Sequence, residues 1–487
     1  MEKKGINEKI VGGLIWTYAE RMSSQIVSLI ITIILARLLT PEEYGIVSIV
    51  TVFIVLADVF VVNGFGNALI QKKDADQIDF STVFFFNILF SAGIYIVLFF
   101  LAEPIALFYE IEILIPVLRI MAIRIPIAGV NSIQQAYVSK KMDFKKFFFA
   151  NIWGTVLSGM IGIVMAYCGM GVWALVAQNL SNTIIGTVVL WFTVKWRPKM
   201  VYSHERMKRL FNFGSKILAS SLLIAIYSNV QDLIIGKKFS SQDLAYSNKG
   251  RQFPSLIATN INTSLTKVLF PAVAECQDDL QRVKHMTRKA ISIGTYVLAP
   301  VLIGFAAVAV PFVEVLLTER WLPCVVYLRI MCMVYLLQPI QTASLQAMKA
   351  LGKSDLYLKL EIIKKMVGII ILFVTVTAFD SVLAIIWGSL IVEIFSTIIN
   401  IPVNKKLLGY NYLEQLADVG TSLIISIITG VIIYGIGLFQ IDSLIALILQ
   451  VVCGVILYVF ISKITRNENY KYLENFLKII IKKIRGR

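Results

Sequence analysis

Apolar runs long enough to cross a bilayer recur along the whole of this chain. Lipid admits only backbone that satisfies its own hydrogen bonds, which leaves helices or closed barrels. The runs are about 20 residues or longer and show no two-residue alternation, so they read as helices. About fourteen spans are expected, near 11–36, 44–70, 80–101, 113–138, 147–168, 171–192, 213–236, 244–270, 290–317, 325–349, 357–378, 381–403, 416–437 and 443–463. The fold class they impose is an all-α polytopic membrane protein. A mean hydropathy of +0.78 with 57% apolar residues excludes a soluble domain.

The formal charge of +16 reports topology rather than a nucleic-acid partner, because Lys and Arg sit in short clusters between the runs. Lys72 and Lys73, Lys140 to Lys146, the stretch from Lys195 to Arg209, Arg282 to Lys289, Lys405 and Lys406 and the basic tail all fall on alternate connections. The positive-inside rule makes those connections, and both termini, cytoplasmic. Lysines ahead of a long apolar run without a small-residue cleavage site suggest an uncleaved first span. No external connection exceeds roughly a dozen residues, too short for a catalytic domain with its own core. There is no GxxxxGK phosphate loop, no nucleophile triad and no metal cluster, and Cys168, Cys276, Cys324, Cys332 and Cys453 show no CxxC spacing. An enzyme, a cofactor and a metal are therefore not expected.

The chain repeats itself. Leu118, Arg119, Ile120 and Met121 open the fourth span, and Leu328, Arg329, Ile330 and Met331 open the tenth. Gln135 and Ala136 compare with Gln346 and Ala347, and Thr40 and Glu43 with Ser240 and Asp243. A six-span offset keeps orientation, so the halves are expected as parallel repeats about an axis along the membrane normal, with a cavity between them. The expected organisation is an N-lobe at 1–192, a basic cytoplasmic linker at 193–212 acting as a hinge or lying on headgroups, and a C-lobe at 213–403. Two appended spans at 404–463 and a basic amphipathic tail at 464–487 complete it. In the tail Leu473, Phe476, Leu477, Ile480, Ile481 and Ile484 alternate with lysines.

Two spans carry polar stripes where lipid would exclude them. In the eighth, Asn248, Arg251, Ser255, Thr259, Asn262 and Thr266 recur at helical spacing with Lys249 beside them. In the first, Thr17, Arg21, Ser24, Ser28 and Thr32 do the same. A charge at mid-membrane costs about 2.5–3.5 kcal/mol even on lenient scales, so these faces look onto a water-filled cavity or onto another helix. Arg21 lies about 15 Å inside at 1.5 Å per residue, and Asp58 of the second span is a candidate partner. Arg124 shares a face with Asn131 in the fourth span, where Pro126 should kink the helix. Arg119 and Arg329, being repeated, suit a gate or a structural charge. Asp58 and Asp232 are the carboxylates for coupling to Na⁺ or H⁺. Glu361, Lys364 and Lys365 are expected to snorkel near the inner surface. Counted together, Arg21, Arg124, Lys249 and Arg251 outnumber Asp58 and Asp232, so an anionic ligand is expected, with phosphate or pyrophosphate matched by guanidinium forks.

Gly12, Gly13 and Trp16, the run from Leu38 to Gly45, Leu118 and Arg119, Met142 to Lys145, and Ala350 to Gly352 stand in the order seen in polysaccharide flippases. The chain resembles the Wzx and teichuronic acid exporter kind, within the multidrug, oligosaccharidyl-lipid and polysaccharide exporter superfamily. It departs from the pattern at Ala245, where a glycine is usual. The resemblance implies two six-helix lobes working by alternating access on an undecaprenyl-pyrophosphate-linked oligosaccharide. It places the pyrophosphate on Arg21 and Arg251. It also implies a bacterial cytoplasmic membrane and partners in membrane lipid, glycan polymerase and chain-length machinery. The alternatives are a cation-coupled multidrug extruder of the same fold and, less compatible with the short loops, a glycan polymerase or ligase. An anion of charge about −2 leaving an inside-negative cell gains about 4–5 kcal/mol at about 100 mV, so outward movement can draw on the membrane potential.

Overall fold

The computed structural model describes the backbone of residues 2–63, 65–72, 74–439 and 441–485. Side chains are described there except at 2–15, 63, 67, 212, 213, 216, 476, 477 and 479–485. It is helical throughout, with no strand among the described residues. Two compact units divide between Ala245 and Tyr246. Unit 1 (Met1–Ala245) holds α1 (Glu2–Leu38), α2 (Pro41–Asp58), α3 (Phe65–Gln71), α4 (Gln77–Tyr109), α5 (Leu114–Met121), α6 (Arg124–Lys141), α7 (Lys145–Tyr167), α8 (Val172–Thr193) and α9 (His204–Lys238), and ends inside α10 (Ser241–Glu275). Unit 2 (Tyr246–Arg487) continues with α11 (Leu280–Ala307), α12 (Ala309–Leu316), α13 (Cys324–Leu336), α14 (Gln338–Ala350), α15 (Ser354–Ala378), α16 (Val382–Leu408), α17 (Tyr412–Ile436), α18 (Ser443–Ile464) and α19 (Glu468–Arg485).

Twelve segments among the described residues are long and apolar enough to cross a membrane. The count of fourteen is not reproduced by that test, and the difference has one cause. α10 and α15, with 35 and 25 residues, have the length, but polar side chains interrupt it: the stripe from Asn248 to Thr266 in α10, and Glu361, Lys364 and Lys365 in α15. Both remain helices where spans eight and eleven are expected.

The repeat is visible in local structure. Thr40 and Glu43 cap α2 reciprocally, Glu43 Oε2 accepting from Thr40 N–H at 2.7 Å. Ser240 and Asp243 meet in the same way at the start of α10, where Ser240 Oγ accepts from the Asp243 N–H at 3.0 Å. Span four breaks between α5 and α6 because Pro126 has no N–H for the Ala122 carbonyl four residues back. That carbonyl accepts instead from Ile125 N–H at 2.9 Å. Span ten breaks at Leu337, two residues before Pro339.

Two features of unit 1 differ from the expected organisation. α9 groups with unit 1, where Tyr109 OH donates to the Leu233 carbonyl at 3.3 Å and Lys237 pairs with Glu110 at 2.8 Å. The connection at 193–212 is fastened down rather than free. Trp196 is buried and its Nε1 donates to Gln77 at 2.7 Å, while the N–H groups of Lys199 and Ser203 donate to Ser81 and Thr82 at 3.0 and 3.1 Å. Arg206 closes the strap on Asp76 at 2.6 Å.

In unit 2 the expected appendage is part of the packing. Arg288 on α11 forks onto Asp418 of α17 with two bonds of 2.8 Å, and Tyr458 of α18 donates to the Tyr296 carbonyl at 2.8 Å. α19 docks through Asn469 on Ser292 at 2.8 Å. The tail's expected apolar face at Phe476, Leu477, Ile480, Ile481 and Ile484 lies outside the described side chains, as does Lys216.

A Cβ at Gly45 would stand 1.8 Å from the Ser241 carbonyl oxygen, so the starts of α2 and α10 meet only because this residue is glycine. Gly45→Ala should cost about 1–3 kcal/mol of stability, read as a lower melting temperature, whereas Ala245→Gly should not reproduce the loss. The strap predicts a pH effect. The hydrogen bond from Arg206, aided by the Asp79 N–H, holds the Asp76 carboxyl down at about 2, below the usual value of about 3.9. Its contribution is therefore present above about pH 4 and lost as pH falls towards about 2. Hydrogen exchange at 194–206 should rise across that window, and Arg206→Gln should remove the step.

Candidate functional site

The polar face of α10 splits in two. Asn248, Arg251 and Ser255 are partly exposed, and Thr259 is exposed. Arg251 donates to Asn248 Oδ1 at 2.7 Å, which preorients the guanidinium along the helix. Asn262 belongs to a packing seam instead: it is buried and donates to Gln338 of α14 at 2.8 Å. Lys249 also leaves the stripe. Residues two apart on a helix point to nearly opposite sides, so Lys249 turns into the packing of unit 2 while Arg251 stays partly exposed. It is 5% exposed, with Nζ 5.4 Å from the Trp321 ring and 3.3 Å from Gln252 Oε1. A cation held on an indole face is satisfied without a ligand.

In unit 1 the expected pairing of Asp58 with Arg21 is not the one formed. Asp58 binds Arg124 at 3.0 Å. Both ends of this pair sit at helix irregularities: Asp58 closes α2 ahead of a π-helical turn, Val59–Asn63, and Arg124 is the first residue after the break in span four. Such turns re-aim side chains that a regular helix would carry past each other. The pair is neutral, and it removes Arg124 from the surplus of positive charge. Asp58 is thereby committed to a guanidinium rather than standing alone as an ion ligand. Asn131 keeps a buried Oδ1 without a bonded partner among the described residues.

Arg21 is half-buried in α1 and has no ion pair or hydrogen bond among the described residues. Its neighbour Glu20 does not serve it, since Glu20 Oε1 accepts from Asn151 at 2.6 Å on α7. Asp232 of α9 is buried within the helices.

Arg119 and Arg329 do the same thing in each unit. Arg119 donates through Nε to the Phe99 carbonyl at 3.2 Å and lies 4.3 Å from the Phe99 ring. Arg329 donates to the Ala306 carbonyl at 3.2 Å and lies 5.4 Å from the Tyr434 ring. Arg119 ties α5 to α4 and Arg329 ties α13 to α11, which accounts for the repeated motif by packing.

The charges of α15 expected to snorkel belong instead to a polar cluster in unit 2. Lys364 is buried at 6% exposure and does not snorkel; its Nζ is 3.5 Å from Glu361. Glu393 of α16 accepts from Gln341 of α14 at 2.7 Å. The signal was present in α15, whose three charges keep it from reading as an ordinary span.

Residues 34–326 match the family described as polysaccharide biosynthesis protein. The teichuronic acid biosynthesis protein TuaB of Bacillus subtilis (strain 168) is 26% identical over 467 residues, 94% of this chain and 95% of its own. The lipopolysaccharide biosynthesis protein WzxC of Escherichia coli (strain K12) is 21% identical over 89% of this chain and 88% of its own. Among solved structures, the lipid II flippase MurJ in an inward closed conformation superposes with a TM-score of 0.74 at 14% identity, over 93% of this chain and 98% of that one. An inward-facing multidrug resistance MATE family transporter of the MOP superfamily superposes with a TM-score of 0.63 at 15% identity, over 82% and 99%. At these identities the structural likenesses show the fold.

Removing one member of the Asp58–Arg124 pair strands the other. Both side chains keep about a fifth to a quarter of their surface exposed, which discounts the buried-pair cost to about 1–3 kcal/mol. Asp58→Asn and Arg124→Gln should each lower the melting temperature, and the double variant should lose less than the sum.

Proposed function

Because the chain belongs to the family of polysaccharide biosynthesis proteins, we propose that it is a flippase. It carries an undecaprenyl-pyrophosphate-linked oligosaccharide from the inner to the outer leaflet of a bacterial cytoplasmic membrane by alternating access. The observation that carries the reading is Arg21, a guanidinium at membrane depth to which no described residue supplies a counter-charge. Such a group is expensive to keep unless something anionic meets it during the working cycle. A pyrophosphate offers oxygens that a guanidinium fork binds bidentately.

Arg251, steered by Asn248, is the second contact, and Ser255 and Thr259 extend a polar track beside it. Lys249 and Asn262 support α10 from within unit 2 instead of touching the cargo. The relatives' names point the same way: teichuronic acid, lipopolysaccharide and succinoglycan are all surface polysaccharides, and one relative is named a transport protein. Both termini are cytoplasmic on the charge pattern, and a glycan polymerase would consume the product outside.

The test is transport of a fluorescent undecaprenyl-pyrophosphate oligosaccharide across proteoliposomes, comparing the wild type with Arg21→Ala and Arg251→Ala at equal incorporation. A hydrogen bond to a charged group contributes about 1.5–3 kcal/mol, so each variant should flip about tenfold more slowly or worse. Undiminished flipping in Arg21→Ala would remove the pyrophosphate from that residue.

A further inference from the structure

α16 carries a second polar stripe that the reading above does not use. Glu393, Thr397, Asn400 and Asn404 recur at spacings of four, three and four, so they share one face of the helix. Glu393 is eleven residues from the start of α16 at Val382, about 16 Å at 1.5 Å per residue, which is membrane depth. Its Oε1 accepts from Gln341 at 2.7 Å, and Thr397 Oγ1 donates to the Glu393 carbonyl at 2.9 Å. Asn404, nearer the Leu408 end, donates to Ser344 at 2.8 Å.

Between them stands Asn400. It is 0% exposed, and neither its Nδ2 nor its Oδ1 has a hydrogen-bond partner among the described residues. Pro402 follows two residues later inside the helix and withholds an N–H from the Ile398 carbonyl. A buried amide with both ends open beside a freed carbonyl is the environment that water occupies in protein interiors.

The charged groups facing Glu393 are Lys364 and Glu361, both on α15, with Lys365 beyond Lys364. α14 offers it the neutral Gln341. On α13 Arg329 is engaged with Ala306, and on α11 Lys284 and Arg288 are engaged with Glu414 and Asp418. Lys364 lies within reach of Glu361, and the two offset one another. That leaves Glu393 as an acid whose charge at this depth has no dedicated partner among the described residues.

We propose that Glu393 is a proton-binding site, hydrated through Asn400 from the Leu408 end of α16. The carboxyl takes a proton from water on that stripe and returns it there, with no other bond made or broken. The proposal uses neither Arg21 nor Arg251 and does not depend on which cargo the protein carries.

Dicyclohexylcarbodiimide tests it directly, because it reacts with protonated carboxyls in apolar surroundings and needs no lipid-linked substrate. The purified full-length protein is labelled between about pH 5 and pH 10, and the adduct is located by peptide mass. Glu393 should be modified at the acid end, with labelling falling about tenfold per pH unit above its midpoint. Glu393→Gln should abolish that adduct. Asn400→Leu, which dries the stripe, and Lys364→Met, which removes the nearby positive charge, should each move the midpoint to higher pH, because both disfavour the carboxylate. Thr397→Val replaces either variant that does not elute as a monodisperse species, with the same expected direction. Absence of the adduct at every pH, labelling that does not fall with pH, or an unmoved midpoint in the folded variants would overturn the proposal.

Discussion

An ionised side chain inside an apolar bundle is tolerated only where something meets its charge, and the arrangement of both units follows from how each one is met. Arg119 and Arg329 are satisfied by a backbone carbonyl and an aromatic face, Lys249 by the Trp321 ring, and Lys364 by Glu361. Arg124 and Asp58 satisfy each other across two helices. These contacts dictate which helix faces which neighbour, because a rotation of even one turn's fraction would expose a charge to lipid. What remains after them is short: Arg21, to which the described residues supply no counter-charge, and Glu393, which meets the neutral Gln341.

The backbone obeys the same rule. Where span four is interrupted by Pro126, the freed Ala122 carbonyl finds Ile125, and the break lets Arg124 begin a new helix aimed at Asp58. On the other side of that contact the π-helical turn at Val59–Asn63 is stitched by Asn87, whose Nδ2 reaches the Val61 carbonyl at 3.1 Å and Ser132 at 2.7 Å. Irregular backbone at this depth survives because side-chain amides and hydroxyls replace the hydrogen bonds that the helix gives up. The irregularities and the ion pair support one another, so the pair is better regarded as part of unit 1's construction than as a spare ligand set.

Much of this was legible in the sequence because it is written in local periodicity. The helices, the repeated caps at Thr40 and Ser240, the matched arginines and the kink from Pro126 each depend on residues within a few positions of one another. Pairing across helices is not local. Asp58 and Arg124 are 66 residues apart, and which arginine Asp58 meets depends on the rotation imposed by a π turn that no residue type announces. Lys249 was grouped with Arg251 by proximity in sequence, although two residues along a helix separate faces almost completely. The strap at 194–203 reads as a linker because it lacks an apolar period, yet its hydrogen bonds to Gln77, Ser81 and Thr82 make it part of unit 1.

The internal repeat also separates charges that build the fold from charges that serve it. Aligning Thr40 with Ser240 sets a register of 200 for the first spans, and the shared tetrapeptide sets 210 for the fourth. In that register Arg119 meets Arg329, as a packing device used twice should. Arg21 meets Ser221, and Arg251 meets Thr51. Not every structural charge is repeated: Asp58 and Arg124, which pair within unit 1, fall on Ala258 and Val334 in the same register. The repeat therefore sets Arg119 and Arg329 apart as a packing device, while Arg21, Arg124 and Arg251 are each particular to one half. A fold does not fix its cargo, so under the proposed function it is Arg21 and Arg251, and not the helical frame, that would distinguish this cargo.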